Sequence, residues 1–143
     1  MRTSYQADVI AWANEQAALI RMGKFDQLDL EHIAEEIEDV GKSEQRELAS
    51  RMKVLLAHLL KWQYQLARQC RGWSNTIKTQ RKAIEYALKE TPSLSVKLGD
   101  AGWSSLLYDE AVTLAMNETG LDAFPEVCLW SMDDVLKEGW LPI

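Results

Sequence analysis

One run of residues spaced three and four apart, from residue 30 to residue 66, constrains the fold of this chain more than any other feature. Apart from one glutamate it is apolar, and its members are Leu30, Ile33, Ile37, Val40, Glu44, Leu48, Met52, Leu55, Leu59, Trp62 and Leu66. Such spacing places all of these side chains on one face of an α-helix. Because the register continues through Gly41, the pattern predicts one long helix rather than two joined by a turn. Asp29 is placed to be its N-cap.

Helical spacing also dominates on both sides of this segment. A first pattern covers residues 5 to 20, and a third covers residues 73 to 88. The third helix is expected to end before Pro92, because proline disfavours helical geometry in the residue that precedes it. Ser131 is placed to cap a short terminal helix, which we expect to dock on the rest of the chain.

A fourth helical pattern, over residues 94 to 115, carries apolar side chains on two faces. A helix of this kind is normally sandwiched between neighbours or lies at a subunit interface. We find no run with the alternation typical of a β-strand. The sequence therefore predicts an all-α fold, an antiparallel helical bundle of about four helices with one long central helix and a short C-terminal helix. We expect a single domain over residues 1–143.

The composition indicates in which cellular compartment the protein is found. No stretch approaches the roughly 20 apolar residues that a bilayer span needs, and the N-terminus lacks the pattern of a secretory signal. Cys70 and Cys128 have no metal-binding spacing, which favours two free thiols in a reducing compartment. We therefore expect a soluble cytoplasmic protein with no membrane association and no cofactor.

Charge is distributed in three blocks along the chain. Residues 1–47 contain eleven acidic and five basic residues, residues 48–84 contain eight basic and no acidic residues, and residues 85–143 contain eleven acidic and three basic residues. The flanks can pair with the middle, or the middle can present a basic face to a phosphate-rich partner.

The basic block also contains Trp62, Tyr64 and Trp73, and this mixture of cations and aromatic rings is typical of surfaces that bind phosphates and stack bases. A helical hairpin over residues 61–82 is therefore a candidate for binding nucleic acid or another anion. Its candidate contacts are Lys61, Arg68, Arg71, Lys78 and Lys82.

A metal site is the next alternative. Helical di-iron proteins use paired Glu-x-x-His elements, which this chain lacks, so we expect no metal; the weak candidate ligands are Glu35, Glu38 and His58. A histidine at the edge of an apolar stripe more often forms a hydrogen bond with a neighbouring acid or carbonyl. We expect His58 to face Glu44, Glu35 or Glu38.

Arg81 falls between two apolar residues on the buried side of the third helix. A buried arginine needs compensation, so we expect an acidic partner from the first half of the second helix. A convergent set of charged groups would form a polar ligand site, whereas the same groups paired inside a closed bundle would fix its register. The candidate site residues are Glu35, Glu38, His58, Lys61 and Arg81.

Six ordered segments resemble a bacterial family known as domain of unknown function twenty-nine. They are "DLEHIAEEIEDVGKSEQREL", "LLAHLLKWQYQ", "GWSNTIKTQRKAI", "TPSL", "ETGL" and "FPEVCLWSMDDVL". The resemblance extends from about Tyr5 to Pro142 and implies an all-helical fold without an established activity. It places the family's signature on Glu35, Glu36, Glu38, Gly41, His58, Lys61, Trp62, Trp73 and Arg81.

Three functions are compatible with these patterns. The leading hypothesis is a non-enzymatic helical interaction or oligomerisation module, which assembles with itself or with a protein partner through the two-faced fourth helix and the tryptophan-rich tail. The alternative is a nucleic-acid or anion-binding hairpin over residues 61–82. The third is a metal-dependent or acid/base enzyme using Glu35, Glu38 and His58.

Overall fold

The computed structural model describes residues 3–143, and this part of the chain is helical with no strand. The helices are α1 (Val9–Arg21), α2 (Leu30–Tyr64), α3 (Arg71–Glu90), α4 (Ser95–Leu98), α5 (Ala101–Thr119) and α6 (Met132–Leu136). Short 3-10 turns occupy Phe25–Gln27, Leu66–Arg68 and Pro92–Leu94. The all-α prediction is confirmed. None of these helices is both long enough and apolar enough to cross a membrane.

The long second helix is present as one continuous element of 35 residues. Asp29 caps it, since the backbone N–H of His32 donates to Asp29 Oδ1 at 3.4 Å. The helix passes through Gly41, where a Cβ atom would meet nothing within 4 Å. Glycine is therefore not required there by packing, and the prediction of a single helix without a break is confirmed.

The chain forms two compact units, Met1–Ser43 and Glu44–Ile143, and the boundary between them lies within α2. The described part of the first unit contains α1 and the beginning of α2. The second contains the rest of α2 and all later helices. The single domain over residues 1–143 stays a prediction.

The core of the second unit is built from α2, α3 and α5. Fully buried side chains of α2 follow the predicted stripe from Leu48 onward, and α3 contributes Ile77 and Ile84. Helix α5 contributes buried residues from both of its apolar faces, including Leu107 and Tyr108. The two-faced helix is thus sandwiched within this unit.

The fourth helical pattern is broken in the structure, so the prediction of one helix over residues 94–115 is wrong in detail. Gly99 ends the four-residue helix α4, and Asp100 starts α5 by accepting a hydrogen bond from the backbone N–H of Trp103 at 3.1 Å. Glycine followed by aspartate favours this restart, because glycine weakens a helix interior whereas aspartate is a good N-cap.

The C-terminal segment docks on the core of the second unit, as predicted. Ser131 caps α6 by accepting from the backbone N–H of Asp134 at 3.1 Å. The Trp130 and Trp140 rings meet edge to face with centroids 5.8 Å apart, and both pack against the core. At the end of the chain, Gln63 Nε2 donates to the Ile143 carbonyl at 3.0 Å.

Candidate functional site

An ion pair with a buried lysine lies at the end of α2. Lys61 is only 5% exposed. Its Nζ donates to Glu118 Oε2 of α5 at 2.5 Å and lies 5.1 Å from the ring centroid of Trp73 on α3. A buried ammonium group needs such a partner, and the aromatic face adds further electrostatic stabilisation. Lys61 therefore connects three helices, and its charge is already compensated within the chain. Glu118, in the "ETGL" segment, had no signal of its own in the periodicity.

His58 forms its hydrogen bond with a backbone carbonyl rather than with an acid. Its Nδ1 lies 2.8 Å from the carbonyl oxygen of Val54, one turn earlier in α2. A carbonyl only accepts, so Nδ1 carries the proton and donates. Burial lowers the pKa of His58. The expectation that His58 faces Glu44 or an acid further upstream is wrong, whereas the carbonyl alternative is confirmed.

Arg81 also finds its partners in the backbone. It is 8% exposed, and its Nε and Nη2 donate to the carbonyls of Val135 at 2.9 Å and Trp140 at 2.7 Å. The expected acidic partner from the first half of α2 is therefore wrong. Two carbonyl dipoles stabilise the guanidinium instead, although burial lowers the pKa of Arg81. These bonds join α3 to the C-terminal segment.

The predicted acids of the first unit are not gathered into a site. Glu35 and Glu38 are both exposed on α2, whereas Glu36 between them accepts a hydrogen bond from the Tyr5 hydroxyl. Within residues 3–143, no three His, Cys, Asp or Glu side chains are arranged to hold a metal ion. His58 lies in the second unit.

The basic hairpin presents four of its five candidate cations to solvent. Arg68, Arg71, Lys78 and Lys82 are exposed, whereas Lys61 is buried. Lys78 and Lys82 line one groove together with the buried Arg81. Nucleic-acid binding by the hairpin stays a prediction.

Sequence reasoning missed a polar and aromatic cluster in the first unit. Asp29 accepts from Trp12 Nε1 at 3.0 Å and lies 2.7 Å from His32 Nδ1. The Tyr5 ring stacks on His32 with centroids 4.3 Å apart, and its hydroxyl donates to Glu36 Oε1 at 2.5 Å. The i,i+3 spacing of Asp29 and His32 is the signal that could have found part of it. These contacts fix α1 against α2.

Hydrogen bonding shifts the pKa values of this cluster. The bond to Asp29 raises the pKa of His32, and the same bond lowers the pKa of Asp29. The bond to Glu36 is the main cause that raises the pKa of Tyr5 to about 12. A histidine that is hydrogen-bonded to a carboxylate and stacked on a phenol is a stabilising arrangement, and it needs no substrate to explain it.

Most of the apolar side of α2 in the first unit is exposed, and Ile33 is half-buried. Leu30, Ile37 and Val40 are each 67% exposed, although Leu48, farther along the same stripe, is 1% exposed. We call Leu30, Ile33, Ile37 and Val40 the N-terminal seam. At about 100° per residue, His32, which contacts Trp12 of α1, lies roughly 160° around the helix from Leu30. The shared helical face is therefore buried from Leu48 to Leu59 and largely exposed at the N-terminal seam.

Fold and geometry together define an all-α protein built on a long helix, with the buried Lys61 and Arg81 compensated inside the second unit and most of the N-terminal seam exposed in the first. The chain belongs to the family described as "Domain of unknown function DUF29", whose model matches residues 4–141. Comparison with curated proteins and with solved structures gave no match. The family resemblance drawn from the sequence is confirmed, and the family description assigns no activity.

Proposed function

We propose that the chain is a non-enzymatic helical interaction module that associates with a second copy of itself through the N-terminal seam. The observation that carries the proposal is the contrast along one helical stripe. Its residues Leu48, Met52, Leu55 and Leu59 are core, whereas three residues of its first half are two-thirds exposed. An apolar helix face with no covering element is the usual mark of a protein interface.

The spacing of the N-terminal seam fits pairing between two helices. Leu30 and Ile37 occupy the a positions of two heptads, and Ile33 and Val40 occupy the d positions. A coiled-coil interface needs this alternation of three and four, with apolar side chains that insert between those of the partner helix.

The positions that flank the N-terminal seam favour a second copy as the occupant. Ala34 and Gly41 lie at e and Ser43 lies at g, so both helices can approach without charge repulsion. Glu36, also at g, already accepts the Tyr5 hydroxyl. The other acids of this segment fall at positions b, c and f, away from the interface, and they are Glu31, Glu35, Glu38 and Asp39.

The fourth helical pattern and the tail support the proposal less than the sequence indicated. Both apolar faces of α5 contribute to the core of the second unit, and the tail packs there through Trp130 and Trp140. On α5, Leu106 is the large apolar side chain left exposed. Its isolation makes α5 a weaker interface than the four neighbouring residues of the N-terminal seam.

The association is expected to be weak. Burying a two-thirds-exposed leucine, isoleucine or valine recovers roughly 1–2 kcal/mol. Only a few such side chains are available from each copy, and association has its own entropic cost. A dimer that forms and dissociates with concentration is the expected behaviour.

Sedimentation velocity on the full chain tests the proposal. We expect a monomer–dimer equilibrium that Ile37→Glu shifts to monomer, because the dimer would bury the new carboxylate. Ile10→Glu is the matched control, since Ile10 on α1 is 73% exposed and lies outside the N-terminal seam. If Leu106→Glu abolishes the dimer and Ile37→Glu does not, the interface lies on α5 and the proposal is wrong.

A further inference from the structure

A groove opens in the second unit between α3 and the C-terminal segment. Its volume is about 370 Å³. Ile77 of α3 faces Leu136 and Leu141 of the C-terminal segment across it, so much of the lining is apolar. This volume lies near the lower end of the range for small-molecule sites.

The charged groups of the groove are unevenly distributed in sign. Lys78, Arg81 and Lys82 line it together with Glu85 and Glu138, which leaves one net positive charge. The lining is thus cationic in a chain whose net charge is -6. A cationic groove with apolar walls is matched by an anion that carries an apolar body.

Arg81 is the most constrained of these cations. Its Nε and Nη2 are held by the carbonyls of Val135 and Trp140, whereas Nη1 has no hydrogen-bond partner within residues 3–143. No buried side-chain nitrogen in this part of the chain lacks a partner, so Nη1 is not fully buried, and Arg81 is one of the residues that line the groove. The fixed guanidinium therefore offers a donor without reorganisation of the side chain.

The wall opposite α3 is preformed. Val135 and Trp140, on both sides of the wall residues Leu136 and Gly139, accept the bonds from Arg81. Gly139 has φ of 80°, a left-handed conformation that permits the tight return of the chain at this point. The same arginine that reaches the groove thus holds its wall in place.

We propose that this groove binds a small organic monoanion, a carboxylate on a compact apolar body. The carboxylate lies between Arg81 Nη1 and the ammonium groups of Lys78 and Lys82, and the body lies against the apolar walls. Glu85 and Glu138 disfavour ligands with several negative charges, such as nucleic acid. The proposal does not depend on self-association through the N-terminal seam.

Calorimetry and amide NMR with 2-naphthoate test the site. We expect saturable binding with shifts confined to the α3 and C-terminal residues that line the groove. Two further probes separate the contribution of the charge from that of the apolar body. They are 2-naphthalenemethanol, which lacks the charge, and inorganic phosphate, which lacks the apolar body. Both are expected to bind more weakly. Absence of naphthoate binding, or equal binding of either probe, would overturn the proposal.

Charge-matched variants locate the binding. Replacing Lys78 and Lys82 with glutamine is expected to weaken naphthoate binding about tenfold, from two lost exposed charge pairs. The control replaces Lys24 and Lys89, two exposed lysines outside the groove, and should leave the affinity unchanged. Equal affinity in both double variants would refute this site even if the chain binds naphthoate elsewhere. The titration is repeated with Ile37→Glu, which is expected to be a monomer. Unchanged naphthoate affinity in this variant would show that binding does not depend on dimer formation.

Discussion

At the scale of single residues, buried charges are compensated by partners that the sequence could not name. The apolar stripe of α3 correctly predicted that Arg81 is buried. Its partners are the carbonyls of Val135 and Trp140, more than fifty positions away along the chain. A backbone carbonyl is present at every residue, so no sequence pattern marks the one that a buried arginine uses.

The ion pair of Lys61 with Glu118 gives the first prediction. Glu118→Gln leaves a buried ammonium without a counter-charge and should lower the free energy of unfolding by about 1–3 kcal/mol, less than for a fully buried pair because Glu118 is partly exposed. Urea denaturation measures the loss. Adding Lys61→Met should recover most of it, since the charge that needs a partner is gone.

Glu110→Gln is the control for this cycle, because Glu110 is an exposed acid on the same helix. It should change the free energy of unfolding by less than about 0.5 kcal/mol. A double variant that is no more stable than Glu118→Gln alone would contradict the account of Lys61.

The two histidines give a prediction of opposite pH dependence. The pKa of His32 is raised above 6.5 by Asp29, so its contribution to stability is complete below pH 6.5 and is lost as pH rises through the folded pKa. The pKa of His58 is lowered by burial. The unfolded state then binds more protons below pH 6.5, and stability falls as pH decreases toward the folded pKa.

Urea midpoints measured from about pH 5 to pH 8.5 for each His→Gln variant check these signs. His32→Gln should reduce the loss of stability on the alkaline side, and His58→Gln should reduce it on the acidic side. If the dependence of the urea midpoint on pH changes in the same way in both variants, the pKa shift of at least one of the two histidines is misassigned.

At the scale of elements, periodicity located the helices because it depends on neighbouring residues. It predicted α2 as one helix, and it placed the cap at Asp29. It did not reveal the break between α4 and α5, since apolar spacing continues across Gly99 and Asp100. Nor could it distinguish buried from exposed positions, because Leu30 and Leu48 follow the same spacing although only Leu48 is buried.

The break before α5 gives a prediction of its own. Asp100→Ala removes the side chain that accepts from the Trp103 backbone, and it should destabilise the chain by about 0.5–2 kcal/mol. Thermal unfolding followed by circular dichroism is a suitable measurement. Asp109→Ala, at an exposed position inside α5, should cost much less, and an equal loss in the two variants would be inconsistent with a capping role.

At the scale of the whole molecule, the sequence predicted the fold class and the family but not the division into two compact units. That boundary lies between Ser43 and Glu44 inside a continuous helix, where neither a turn residue nor a change of period marks it. Because the sequence does not mark this boundary, it also did not show that the candidate site residues fall in different units. Glu35 and Glu38 belong to the first unit, and Lys61 and Arg81 belong to the second.

We infer that one helical stripe serves as core from Leu48 to Leu59 and as an interface between copies at the N-terminal seam. Amide hydrogen exchange, followed across roughly a hundredfold range of protein concentration, tests this claim most directly. We predict that residues 30–43 become more protected as concentration rises, whereas residues 48–64 keep the same protection throughout. Exchange in residues 30–43 that is independent of concentration would contradict the claim.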